Sequence, residues 1–214
     1  MGIQFNQVTY TYRGIKRQYI ALEDINLKIE ETGEFIAICG QTGSGKSTLV
    51  QHTNALLQPT KGTVDIFGQI LPAKRKEKIN HVRQKVGLVF QFPEYQLFEE
   101  TIIKDIAFGP RNFHISAEDA LKQAYKAAET VGLDPTLYEQ SPFRISGGQM
   151  RRVAIAGILA MDPKILILDE PTRGLDPQGK EDMMKVFLDI HKKEQKSVVL
   201  ITHDMDIVAE YAKR

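Results

Sequence analysis

Eight consecutive residues, Gly40-Gln41-Thr42-Gly43-Ser44-Gly45-Lys46-Ser47, match the pattern G-x-x-x-x-G-K-[ST] in full, and Thr48 follows. Glycines at this spacing let successive backbone N–H groups turn inward around a phosphate, and a helix opening near Lys46 points its positive end at the same place. Lys46 suits the β- and γ-phosphates of a nucleotide, the Ser47 hydroxyl suits Mg2+, and Thr48 supports the α-phosphate. Far along the chain, Lys164-Ile165-Leu166-Ile167-Leu168 runs into Asp169-Glu170. A buried strand ending in two carboxylates offers Asp169 to Mg2+ through a bound water, and Glu170 to a water attacking the γ-phosphate. The same pair could instead cap a helix N-terminus, where acidic side chains are favoured. The glycine loop alone leaves kinase, GTPase and ATPase open; the adjacent Asp-Glu pair favours hydrolysis.

These residues need strands to hold them. Phe35–Cys39 is a short continuous apolar run, read as a strand buried on both faces and leading straight into the glycine turn, with Cys39 as a small core residue. Phe5, Val8, Tyr10 and Tyr12, then Leu22, Ile25, Leu27 and Ile29, follow the period-2 pattern of a half-buried antiparallel pair. Thr63–Phe67, Val86–Phe90, Ile165–Leu168 and Val198–Ile201 are further strands, with a helix over about 180–193. From Thr101 to Met161 the spacing is helical, as in Leu121, Tyr125 and Ala128.

Composition narrows the class. The 214 residues carry a formal net charge of +1, so no global field draws the chain to nucleic acid, and no nucleic-acid partner is expected. The basic stretch Lys74-Arg75-Lys76, with Lys78, Arg83 and Lys85, has no interleaved aromatic residues and reads as solvated surface. A single cysteine rules out an intrachain disulfide. The start, Met1-Gly2-Ile3-Gln4, lacks the features of a signal peptide, and Asn6 replaces the Ser or Thr of a myristoylation motif. No apolar run approaches the ~20 residues of a membrane helix, so any membrane role is exercised through partners.

One segment makes the class specific. Ile145-Ser146-Gly147-Gly148-Gln149 precedes a helix through Val153, Ile155, Ile158 and Leu159. Taken alone it is a polar helix start with Ser146 as cap and backbone amides open to an anion. It resembles the signature of ABC ATPases, with Ile145 where leucine is usual. The resemblance implies an α/β fold: a P-loop NTPase core with a mostly parallel sheet, an N-terminal antiparallel β subdomain and an inserted helical subdomain. It makes 1–214 a single ABC ATPase domain, the core over about 1–91 and 161–214 and the helical part over about 92–160. It implies ATP and Mg2+ as cofactors, and implies that Ser146, Gly147, Gly148 and Gln149 serve the γ-phosphate held by a second subunit. Gln91 resembles the Q-loop glutamine, a ligand of Mg2+ or of the catalytic water. Gly174-Leu175-Asp176-Pro177 resembles the D-loop, placing Asp176 at the subunit interface, and His203 resembles the switch histidine at the γ-phosphate. A lone histidine after a strand is otherwise more often structural. Tyr12 resembles the aromatic residue that stacks on adenine; Tyr10 competes, and either could be core packing.

Two stretches, Phe90-Gln91-Phe92-Pro93-Glu94-Tyr95-Gln96-Leu97-Phe98-Glu99-Glu100-Thr101 and Ser146 to Gly157, are similar to energy-coupling-factor (ECF) transporter ATPases, most of all the second of their two paralogous ATPases. That resemblance implies an importer motor for vitamins or transition-metal ions, peripheral on the cytoplasmic face of the cell membrane. Its partners would be a paralogous ATPase (a homodimer is possible), a transmembrane coupling subunit and a substrate-binding membrane protein. Members of this family continue past the equivalent of Arg214 with further strands and a C-terminal dimerisation region, and they commonly carry a small residue where this chain has Arg173. An ATPase of another ABC class, a soluble ABC ATPase and a P-loop kinase are the competing functions.

Overall fold

A computed structural model describes residues 2–14, 18–74, 77, 79–113 and 115–214. The first two strands, β1 (Ile3–Arg13) and β2 (Gln18–Ile29), pair antiparallel, with Phe5 opposite Leu27 and Tyr12 opposite Tyr19. β3 (Phe35–Ile38) leads into α1 (Lys46–Thr53), and then β4 (Lys61–Ile66) and β5 (Gln69–Leu71) return to the first sheet. That sheet has the order β2-β1-β4-β5. A short helix, α2 (Asn80–Lys85), delivers the chain to β6 (Val86–Val89). Neither β5 nor α2 carries enough periodic apolar residues to be read from the sequence.

Three helices follow: α3 (Ile102–Asn112), α4 (Ala117–Thr130) and α5 (Gly147–Leu159). Each begins on a serine or threonine, Thr101, Ser116 or Ser146, whose side chain accepts from a backbone N–H in the first turn. β7 (Ile165–Asp169), α6 (Pro177–Glu194), β8 (Ser197–Ile201) and α7 (Met205–Tyr211) complete the chain.

The second sheet is parallel, in the order β3-β8-β7-β6, and forms the middle layer. Strand alternation sorts its side chains to two cores. Phe35, Val89, Leu166, Leu168, Val198 and Leu200 pack with Ile106, Val153 and Phe187 on the helical side. Ile36, Val86, Leu88, Ile165, Ile167, Val199 and Ile201 pack with Phe5, Val8, Val64 and Val50 on the side of the antiparallel sheet. Strands covered on both faces must be apolar throughout, which is why β7 and β8 lack the alternation seen in β1.

β3 buries both faces over Phe35 and Ile36, which enter opposite cores, but the expectation of a core Cys39 fails. β3 is an edge strand, and only Phe35 and Ile36 of its residues are fully buried. The backbone of Lys213 and Arg214 covers its outer edge, through Lys213 N–H to the Phe35 carbonyl (2.9 Å) and Ala37 N–H to the Arg214 carbonyl (2.8 Å). Cys39 is exposed rather than a core residue, because the strand has already ended at Ile38 and the chain is opening into the glycine turn. In the basic stretch Lys74 and Arg83 are exposed, and Lys85 lies 5.2 Å from the centroid of the Phe67 ring. Arg75, Lys76 and Lys78 lie outside the described residues, as does Met1.

Candidate active site

All four parallel strands deliver candidate residues from their carboxyl ends, where open α/β sheets bind ligands. β3 leads into the glycine loop, β6 into Gln91, β7 into Asp169 and Glu170, and β8 into His203. A cleft of about 290 Å³ opens over these ends. Thr42, Gly43, Gly45, Lys46, Ser47, Thr48, Gln91, Asp169 and Glu170 line it, whereas Tyr12 and His203 lie outside its lining. Gly40, Gln41 and Ser44 complete the loop around them.

The loop depends on its glycines. Gly43 and Gly45 have φ of 84° and 92°, where a side chain is strained, and a Cβ on Gly45 would lie 2.4 Å from the Ala21 carbonyl oxygen. α1 begins at Lys46 with Gly45 as a cap lacking a side chain, so no side-chain oxygen of the cap competes for the first N–H groups of the helix. The Lys46 ammonium is held inside the loop, donating to the carbonyls of Gly40 (2.7 Å) and Gln41 (2.9 Å).

The carboxylates differ in environment. Asp169 is the last residue of β7 and is buried. Burial pushes its carboxyl above the ordinary Asp range and the charge of Glu170 adds to this, while the Ser47 hydroxyl and Lys46 oppose it. Glu170 sits at φ 51°, a left-handed conformation uncommon for glutamate and a mark of strain at functional positions. Its N–H donates to the Ile201 carbonyl (2.9 Å), which ties β7 to β8 just where both release their functional residues. Glu170 Oε1 accepts from Nδ1 of the mostly exposed His203 at 2.7 Å. Neither carboxylate caps a helix; α6 begins seven residues beyond Glu170, at Pro177.

The aromatic candidates separate clearly. Tyr12 is 40% exposed, and its hydroxyl is hydrogen-bonded with Thr48 Oγ1 at 3.2 Å. Tyr10 is half-buried against the core under the antiparallel sheet and meets the rings of Tyr12 and His52 edge-on, each at 4.9 Å. Tyr19, paired opposite Tyr12, lines the cleft and reaches the Gly43 carbonyl at 3.4 Å. Strand pairing brings Tyr19 there, and no local motif announces it. Ala21 and Arg173 also line the cleft.

Ser146, Gly147, Gly148, Gln149 and Asp176 do not line the cleft. Ser146 and Gln149 form a reciprocal capping box, Gln149 N–H to Ser146 Oγ (3.3 Å) and Ser146 N–H to Gln149 Oε1 (2.9 Å). Asp176 caps α6 by accepting from the Gly179 N–H at 2.8 Å. Two residues beyond Gln149, Arg151 is buried and donates Nε and Nη2 to the two carboxylate oxygens of Glu94, at 3.2 and 3.0 Å. Its Nη1 donates to the carbonyls of Pro171 (3.4 Å) and Arg173 (2.7 Å). The guanidinium therefore ties α5 both to the segment after Gln91 and to the loop after Glu170.

A parallel sheet with a glycine phosphate loop, paired carboxylates and a separate helix-capping signature defines the class. The model of the ABC transporter family matches residues 22–173, and the chain belongs to that family. It is 55% identical over 214 residues to the energy-coupling factor transporter ATP-binding protein EcfA2 of Enterococcus faecalis, covering 99% of this chain and 74% of that one. To the protein of the same name from Lactococcus lactis it is 57% identical over 212 residues, covering 98% and 73%. Among solved structures, an ATP-binding cassette determined as a dimer in a post-hydrolysis state with ADP and Pi is 33% identical, with a TM-score of 0.84 over 96% of this chain and 89% of that one. CbiO1 of Clostridium perfringens, part of the ABC transporter complex CbiONQ, is 37% identical, with a TM-score of 0.82 over 96% and 80%. The chain is an ATPase subunit of an ECF-type ABC importer, its ATP hydrolysis coupled to transport. Among the described residues no helix is long and apolar enough to cross a membrane.

Proposed function

We propose that the cleft binds ATP with Mg2+ and hydrolyses it, and that each chain supplies half of two composite sites in a dimer with a paralogous ATPase. The observation that carries this reading is the meeting of Lys46, Ser47, Gln91, Asp169 and Glu170 in one cleft from three separate segments. The donors suit Mg2+, which takes hard oxygen ligands and keeps phosphates and waters among them: a hydroxyl from Ser47, a carboxylate from Asp169 and an amide oxygen from Gln91. When bound, the ion offsets the charge that develops on the β- and γ-oxygens.

In this reading the amides of Gly40 to Gly45 and the ammonium of Lys46 hold the phosphates, with Lys46 exchanging its two loop carbonyls for phosphate oxygens. Thr48 supports the α-phosphate, and Tyr12 stacks on the adenine. Glu170 polarises the attacking water, and His203, already bonded to Glu170, turns to the γ-phosphate. Ser146, Gly147, Gly148 and Gln149 serve the nucleotide of the other subunit, and Asp176 lies at the interface between the two. Gly147 and Gly148 support this role, since a Cβ on either would meet nothing within 4 Å beyond its neighbours and its own helix. The division into a nucleotide core, about 1–91 and 161–214, and a helical unit over 92–160 belongs to the same proposal.

The membrane partners are a transmembrane coupling subunit and a substrate-binding protein, which place this chain on the cytoplasmic face. Tyr95 and Phe98, 84% and 56% exposed, present rings just beyond Gln91, and Phe98 meets Phe108 edge-on at 4.7 Å. We read this patch as the seat of the coupling subunit. Glu170→Gln tests the catalytic assignment in the assembled transporter. ATP binding should stay within about twofold while turnover falls at least about a hundredfold, the scale of a lost general base. Rapid turnover by the variant would remove Glu170 from that role.

A further inference from the structure

Arg173 stands in the cleft without a part in the scheme above. Its backbone is pinned on both sides: its N–H donates to the Glu170 carbonyl at 3.1 Å, and its carbonyl accepts from Arg151 Nη1 at 2.7 Å. From that fixed point the side chain reaches to Gln91. With the amide oxygen of Gln91 turned to the guanidinium, it accepts from Arg173 Nε at 3.2 Å and also from Nη1. The guanidinium carbon lies 5.9 Å from the centroid of the Phe92 ring, and Arg151 approaches the same ring at 6.0 Å. Phe92 is itself at φ 56°, and its ring lies beside both arginines.

The amide oxygen is the one side-chain atom through which Gln91 can bind a hard cation, and here it faces a cation already. A guanidinium fork and a divalent ion on the same oxygen would repel each other across a few ångströms. We propose that Arg173 is a positioning residue that latches Gln91 away from the metal while the site is empty, so that Mg2+ gains Gln91 only by displacing the arginine. Arg173 thereby sets how much Mg2+ adds to nucleotide affinity. This inference rests on the reading of the cleft as an ATP and Mg2+ site. Once released, the guanidinium still has the carboxylate of Glu170 lining the same cleft.

The test is equilibrium binding of a non-hydrolysable ATP analogue to the intact chain, with Mg2+ and with excess EDTA. Arg173→Ala should raise the ratio of affinity with Mg2+ to affinity without it by about three- to tenfold, the span of a partly exposed charge-assisted hydrogen bond. Arg173→Lys, which keeps the charge but loses the fork, should fall between. Phe92→Leu removes the ring beside the guanidinium, keeps every charge, and should move the ratio in the same direction. In the nucleotide-free protein the Gln91 side-chain amide resonances should shift in Arg173→Ala. A purely structural arginine would weaken binding equally in both conditions, and an unchanged or lowered ratio overturns the latch. A wild-type chain that binds no analogue in either condition overturns the nucleotide-site reading itself, and the latch with it.

Discussion

Replacing Arg151 with methionine tests whether one buried guanidinium holds three functional segments together. Its side chain is 5% exposed and that of Glu94 14%. Methionine keeps much of the aliphatic volume but strands the Glu94 carboxylate and leaves the Pro171 and Arg173 carbonyls without this donor. Breaking a buried ion pair from one side costs about 3–5 kcal/mol, because the remaining charge stays buried and unpaired. Water reaches part of Glu94, so about 2–4 kcal/mol is the fairer expectation. For a chain of this size each kcal/mol lowers Tm by about 2–4 °C, so Arg151→Met should unfold about 4–16 °C earlier than wild type.

Urea denaturation of wild type, Arg151→Met, Glu94→Gln and the double variant measures the pair itself. The double variant should be more stable than the sum of the singles predicts, by about 1–3 kcal/mol, since it removes the stranded charge and its former partner together. The slope of stability against urea should be shared by all four proteins, as a change there would mean a different denatured or native state. A coupling energy below about 0.5 kcal/mol would refute the reasoning. Arg151 would then be a passenger, not the strut between α5 and the segment after Gln91.

Two further outcomes follow from the same geometry. Tyr12→Ala should weaken ATP binding by about tenfold, the scale of a base–aromatic stack, while Tyr12→Phe should bind ATP within about twofold of wild type; equal losses in both variants, read by nucleotide titration, would mean that the hydroxyl bonded to Thr48 matters and the ring does not. His52 is fully buried on α1, donates Nδ1–H to the Thr48 carbonyl at 2.7 Å, and has its pKa lowered chiefly by burial. Its folded pKa lies below its unfolded one, so its stabilising share is complete above about pH 6.5 and is lost as the pH falls below that value, where the unfolded chain takes up the proton first. Thermal scans from pH 7.5 to 5 should therefore show a shallower fall for His52→Leu than for wild type, and parallel curves would dismiss His52 as a source of acid sensitivity.

What could be read in advance divides by sequence separation. The phosphate loop, the Asp169-Glu170 pair and the capped signature are each a few contiguous residues on a strand end or helix start, so local pattern suffices to place them. His203 needed its strand as context, and the structure bonds it to Glu170. The contacts of Arg151 with Glu94 and of Arg173 with Gln91 join residues 57 and 82 positions apart; no local rule singles out Arg151, and Arg173 stands out only against the family pattern, which says nothing of its partner. Cys39 misleads for the opposite reason: an apolar run looks uniform in sequence, but its last residue already belongs to the turn that the glycines open.

The most telling residues are those whose type has no cause inside the chain. Gly45 is glycine because Ala21 crowds it, and Gly62 because the backbone of Asn6 and Gln7 lies where its Cβ would be. Gly147 and Gly148 have no such neighbour and no left-handed φ, and glycine in a first helical turn forfeits backbone entropy for nothing within its own fold. Ser146 and Gln149 meanwhile satisfy one another, which leaves the glycine amides at an open, exposed helix start. The space beside them is open to a close approach from outside the chain, as the proposed dimer requires. An anion at that helix start would find free N–H groups, no side chain in the way, and a favourable helix dipole. Ser146, Gly147, Gly148 and Gln149 do not line the cleft of their own chain, and that separation is what favours the two-chain arrangement proposed above.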